Sequence, residues 1–278
     1  MLSHRWEDDE LAFERINWQG VYDLPASRFQ KVRGFCREAA TQGFDWAWVD
    51  TCCIDQTSNA DVSESISSMF SWYRGSALTI IYLSDVATFN VQALRRSQWF
   101  RRGWTLQELL AANVVQIYKK DWSLFSPAAF NHKGDSEILA ALESATGIEQ
   151  RYLVSYSPSV EQPRMKLAWA RHRATKKEDE AYCLMGIFRF TLSVRYGEGD
   201  RAFSRLLVEI MRHMDDATLL DWVGQSLSMN SFLPSSPRCF SDAPFEILDE
   251  AFHRSTMSFA FAAKLIWVLK GATRRARK

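Results

Sequence analysis

No apolar run in this 278-residue chain reaches the ~18–20 residues that a membrane-spanning helix needs. The nearest candidate, residues 257–269, contains Lys264 and runs into a basic end, Arg274-Arg275-Ala276-Arg277-Lys278. A buried strand or helix with a solvated tail is the reading there, set against a membrane-surface anchor. Charge of one sign is also lacking. Lys+Arg 34 against Asp+Glu 33 leave a net charge of +1, which gives no support to a nucleic-acid binder driven by bulk charge. Disulfide spacing is absent: Cys36, Cys52, Cys53, Cys183 and Cys239 form an odd set, and no signal peptide precedes them. A reduced, cytoplasmic protein is expected. There is no G-x-x-x-x-G-K-[ST] run, no G-x-G-x-x-G and no G-x-S-x-G elbow. The one glycine-rich turn of note, Tyr196-Gly197-Glu198-Gly199-Asp200, reads as a tight connection into the next helix. No internal repeat is visible.

What is present is a large apolar fraction, 47%, and eleven tryptophans. The first supplies a sizeable core; the second supplies core packing, with some rings left for a pocket or a partner surface. Residues 1–3 read as the stub of a strand opening into His4-Arg5-Trp6-Glu7, short enough to predict further residues upstream. Residues 27–42 have helical spacing, with Gly43 as the stop. Residues 46–49 read as a buried strand ending at Asp50. Residues 61–74 read as a helix capped by Ser63, with Ile66, Met69, Phe70 and Tyr73 on one face. Residues 78–83 and 114–118 are further buried strands around a helix at 105–112. Apolar strands alternating with helices predict a parallel sheet covered on both faces, with ligands beyond the carboxyl ends of its strands. Ser3-His4-Arg5, residues 50–55 and Ser84-Asp85 fall there. The second half reads as helices at 136–144, 160–176, 178–188 and 200–214; from about Gln225 serine and proline dominate, as in a loop or linker.

The densest stretch is Ser97-Gln98-Trp99-Phe100-Arg101-Arg102-Gly103-Trp104-Thr105-Leu106-Gln107-Glu108-Leu109-Leu110. Glu108, at the first turns of a buried helix, is suited to orient a ribose or to stabilise positive charge on a sugar ring. Equally open from spacing alone are favourable placement in the helix dipole and a salt bridge to Arg101 or Arg102. In the loop after Ser3, Arg5 is available for phosphate and Trp6 for stacking, unless the loop is merely solvated and acidic. Trp48-Val49-Asp50-Thr51-Cys52-Cys53-Ile54-Asp55 admits three chemistries. They are ligand contact by Asp50 and Asp55, a cysteine nucleophile with His4 as base, and a metal site of Cys52, Cys53, His4 and an aspartate. Cysteines at strand ends are usually small buried hydrophobes, and adjacent cysteines rarely face one metal.

Leu2-Ser3-His4-Arg5-Trp6, the 48–55 segment, Ser67-Ser68-Met69-Phe70-Ser71-Trp72-Tyr73 and the 99–110 segment together resemble the fungal heterokaryon-incompatibility (HET) domain. Trp169-Ala170, Arg173, Thr175, Glu178, Asp179, residues 181–188, Tyr196-Gly197-Glu198-Gly199 and Ala202-Phe203 resemble its continuation, so the likeness covers about residues 1–223. It implies fungal non-self recognition and regulated cell death. HET domains are in turn considered distant relatives of Toll/interleukin-receptor (TIR) domains, many of which cleave NAD at the nicotinamide–ribose bond with a helix glutamate. Ser97, Trp99, Glu108 and Leu109 are similar to the TIR segment with four extra residues; a shorter register pairs Trp104 with Glu108.

The expectation is therefore an α/β fold, a TIR/flavodoxin-like parallel sheet flanked by helices and followed by a mainly helical region. It divides into a TIR-like core at 1–125, a helical continuation at 126–223 and a linker and tail at 224–278. By the resemblance, Glu108 is catalytic, and Ser3, His4, Arg5, Trp6, Asp50, Asp55, Arg102 and Trp104 bind the ligand. No cofactor is required, and NAD or a related nucleotide is the substrate. Self-association on activation and an upstream sensor protein or domain are the expected partners, without nucleic acid or a transmembrane segment. The alternative is a non-catalytic self-association module of the same pathway.

Overall fold

Strands β1 (Leu2–His4), β2 (Thr79–Tyr82) and β3 (Val115–Tyr118) pair in parallel in that spatial order. The computed structural model describes residues 1–7, 10, 11, 13, 29–127, 130–214, 217–228 and 230–240. Between the strands run α1 (Gln30–Thr41), α2 (Asp50–Cys53), α3 (Asn59–Gly75), α4 (Val91–Arg96) and α5 (Thr105–Ala111). All residues of these three strands are buried, as in a sheet covered on both faces, including the polar Ser3, His4, Thr79 and Gln116. Period-two alternation sorts their side chains. Leu2, Ile80, Tyr82 and Tyr118 pack with Phe35 of α1. Ile81, Val115 and Ile117 join the larger core built with α3 and α5.

The second half contributes α6 (Ser136–Thr146), α7 (Gln150–Val154), α8 (Pro163–Ala170), α9 (Asp179–Tyr182), α10 (Met185–Phe188) and α11 (Arg201–His213). Every residue of α5 is buried, so this helix is sandwiched between the sheet and the helical half. Lys133 holds its carboxyl end, donating from Nζ to the Leu109 and Ala112 carbonyls at 2.6 Å each. The mixed α/β expectation, a parallel sheet flanked by helices, holds.

Several boundaries differ. Residues 46–49 form no strand: Leu2 N–H donates to Trp48 O at 3.0 Å, but no ladder follows, and Trp46 is 93% exposed. The segment still lies against the edge of β1 away from β2. Helix α3 starts at Asn59, and its cap is Ser58, whose Oγ accepts from Asp61 N–H at 3.2 Å; Ser63 lies inside the helix. Within 160–176 only Pro163–Ala170 is helical, because Ala174 leaves to bridge Arg102, with Gly103 N–H on Ala174 O at 3.1 Å. Residues 178–188 break into α9 and α10. The Ser/Pro-rich stretch forms an antiparallel hairpin of β4 (Ser226–Leu227) and β5 (Asn230–Pro234), with Leu227, Leu233 and Phe240 in the main core. The start of the 27–42 prediction, residues 27–28, and the 257–269 run with its basic end lie outside the described residues. No helix among the described residues is long and apolar enough to cross a membrane.

Candidate functional site: two buried carboxylates and a cleft

Because side chains alternate along β1, Ser3 and His4 serve two different carboxylates. Ser3 Oγ donates to the Glu108 carboxylate and accepts from Trp99 Nε1–H at 3.0 Å. Glu108 is only 3% exposed. Burial first, and the charge of Asp50 second, raise its carboxyl from 4.5 to about 7, against the opposing pull of Ser3, Arg102 and Arg173.

Asp50 opens α2. His4 Nε2 lies 3.0 Å from its Oδ1, which also accepts from the Thr51 N–H at 2.8 Å. Trp6 Nε1–H donates to Oδ2 at 2.7 Å, and Arg102 Nη2 stands 3.8 Å from the same oxygen. Burial alone would raise this carboxyl; His4, Arg102 and Trp6 together outweigh burial and hold it below its ordinary value. The Arg102 guanidinium sits 4.7 Å from the Trp6 ring centroid, which orients both groups. Two neighbouring acids are thus driven apart, Asp50 toward the carboxylate and Glu108 toward the neutral form.

Asp50, Trp6 and Arg102 line one side of a cleft of about 250 Å³ just past the end of β1. Trp104, Thr175, Lys176, Asp179 and Tyr196 also line it, with Ile54, Ile66 and Met69 as apolar surface. Asp179 is buried and takes Trp104 Nε1–H at 3.1 Å, Tyr196 O–H at 2.7 Å and Thr175 O–H at 3.3 Å. Ser3, His4, Trp6, Asp50, Arg102, Trp104 and Glu108 therefore gather in one region, but not all in one wall. Ser3, His4 and Glu108 are buried and are not among the residues lining the cleft. Arg5 is exposed and off the cleft. Asp55 turns back on its own loop, its Oδ1 accepting from Thr57 N–H at 2.9 Å and Thr57 O–H at 2.6 Å.

The cysteine alternative finds no activating environment. Burial pushes the Cys52 thiol up to about 12 and raises Cys53 as well, the reverse of what an attacking thiolate needs. Cys52 Sγ points at Leu11 O, 3.6 Å away, and His4 is engaged with Asp50. No group of three metal-ligating side chains exists among the described residues. Lining residues not assigned to the site from the sequence include Thr175, Lys176, Asp179 and Tyr196, far along the chain from Trp104. Thr175, Asp179 and Tyr196 fall in the motifs of the HET continuation, but nothing in their spacing places them at the cleft.

The architecture is that of an α/β domain with a ligand-sized cleft at its sheet end and a helical half completing the cleft's other wall. A family model described as Heterokaryon incompatibility protein (HET) matches residues 1–96. Vegetative incompatibility protein HET-E-1 of Podospora anserina is 34% identical over 236 residues, covering 80% of this chain and 16% of that protein's length. The chain is a HET-domain protein. It spans less than one fifth of the relative it matches, 16%. No solved structure matches it.

Proposed function

We propose that this chain acts in fungal heterokaryon incompatibility, as a domain that triggers cell death by hydrolysing NAD or a related nucleotide in the cleft. The pathway rests on the HET family match and on the likeness to an incompatibility protein. The chemistry rests on one observation above all, the pair of buried acids beside the cleft that the surroundings drive apart, Asp50 ionised and Glu108 protonated up to about pH 7.

In the proposed reaction the bond between ribose C1′ and the nicotinamide nitrogen breaks, and its electron pair leaves with nicotinamide, neutralising the ring. Water adds at C1′ and gives up a proton to bulk water. Asp50, lining the cleft and held in place by Trp6, His4 and Thr51, stabilises the positive charge that develops on the ribose. Arg102 is available for phosphate, and Trp6 and Trp104 for stacking. Glu108 is a positioning residue in this reading. It anchors α5 to β1 through Ser3 and keeps a proton where a second carboxylate would repel Asp50. A self-associated state and an upstream sensor are the proposed partners.

A second reading has its own support. Glu108 is buried, is not among the residues lining the cleft, and ties two elements together, which suits a non-catalytic signalling module. Incubating the assembled protein with NAD and following nicotinamide by chromatography tests the two. Release that is lost in Asp50→Asn supports hydrolysis; no release, or release unchanged in Asp50→Asn, supports the module.

A further inference from the structure

The two cleft aspartates differ in what holds them. Asp50 has a guanidinium within 3.8 Å and an imidazole at 3.0 Å. Among the described residues, the three hydrogen bonds to the Asp179 carboxylate come from neutral donors, the indole of Trp104, the phenol of Tyr196 and the hydroxyl of Thr175. A buried carboxylate between two aromatic side chains, with no cation bonded to it among the described residues, is an electrostatic complement for a positively charged ring. The Tyr196 ring already seats a cation: exposed Lys176 places its ammonium 5.4 Å from the ring centroid. At about 250 Å³ the cleft is below the roughly 300–1,000 Å³ of sites that enclose a drug-sized molecule, a size suited to one end of a dinucleotide and not the whole of it.

We propose that Asp179, Trp104 and Tyr196 form a recognition site for an N-substituted pyridinium cation, so that the cleft selects the charged, oxidised nicotinamide end over neutral rings of the same shape. This rests on the nucleotide reading of the cleft and adds which wall receives which part of the ligand. The sugar then faces Asp50 and the cationic ring faces Asp179. Lys176 competes with the ring for Tyr196.

Titration with 1-methylnicotinamide, methylated on the ring nitrogen and so a cation without a glycosidic bond, and with neutral nicotinamide isolates recognition from catalysis. The cation should bind roughly tenfold more tightly than the neutral ring. Asp179→Asn, checked for folding by thermal unfolding, should bring the two affinities together. Lys176→Ala, an exposed position, should raise the ratio of cation to neutral affinity by roughly two- to fivefold, a gain that misfolding cannot mimic. Equal binding of the two rings to the wild-type protein, no binding of the cation, or an unchanged ratio in Lys176→Ala would overturn the proposal. Nicotinamide release from NAD without this preference leaves the hydrolase standing and removes the cation site; the preference without release does the reverse.

Discussion

Ser3 and Glu108, separated by 105 positions, are joined by a buried hydrogen bond that fastens the first strand to the central helix. The same hydroxyl accepts from Trp99, so one small side chain satisfies two groups that have no water to turn to. Ser3→Ala should cost about 1–3 kcal/mol in urea unfolding, the penalty for stranding buried polar groups. A loss below about 0.5 kcal/mol would mean that this hydrogen bond does not anchor α5.

Glu108 should also leave a mark on the pH dependence of stability. Its carboxyl rises from 4.5 to about 7 on folding, so the folded state holds the proton more tightly than the unfolded one. Its contribution is full below pH 4.5 and is lost as pH rises through about 7, a swing of about 3 kcal/mol from the change in proton affinity. Stability of wild type relative to Glu108→Gln should therefore decline between pH 4.5 and 8, measured by denaturant unfolding at each pH. Parallel curves for the two proteins would show that Glu108 has an ordinary carboxyl.

Gly186 marks where the helical half meets the sheet half. A Cβ there would stand 2.3 Å from Phe70 Cβ and 2.8 Å from its Cγ, so α10 and α3 approach too closely for any side chain. Gly186→Ala should destabilise by about 1–3 kcal/mol. A melting temperature equal to wild type would contradict the close packing of these helices.

Much of this was legible in the sequence because the physics was local. Val115–Tyr118 and Thr79–Tyr82 are β-branched or aromatic except at Gln116, and both are strands. Ile66, Met69, Phe70 and Tyr73 repeat at helical spacing, and all are buried on α3. Residues 46–49 misled because Val49 packs into the core and Trp48 against Trp72 and Tyr73 without a ladder, with one backbone bond to Leu2 and a strongly exposed Trp46. Ser63 misled because a serine inside a helix and one capping it look alike until the first turn is located. In the site, strand-end placement points to the loop after Ser3 and to residues 50–55, and Trp6 and Asp50 do line the cleft, although the strand expected before Asp50 does not form. Arg102 and Trp104 enter through the 97–110 segment instead. Asp179 and Tyr196 could not be assigned to the cleft by spacing, since tertiary packing alone brings them to Trp104. They do fall in the motifs shared with the HET continuation, the one signal that pointed to them. The direction of Glu108 was equally invisible: a buried helix is legible from its apolar run, but not that its glutamate turns to Ser3 inside the fold and not to the cleft.

The central claim, that cleft chemistry drives incompatibility, is tested most directly in living cells. Wild type and Asp50→Asn would be expressed from an inducible promoter in a filamentous fungus, with cellular NAD and viability followed together. With wild type, NAD should fall before viability; with equally abundant, folded Asp50→Asn, both should be preserved. Death with NAD intact, or equal killing by Asp50→Asn, would contradict that claim.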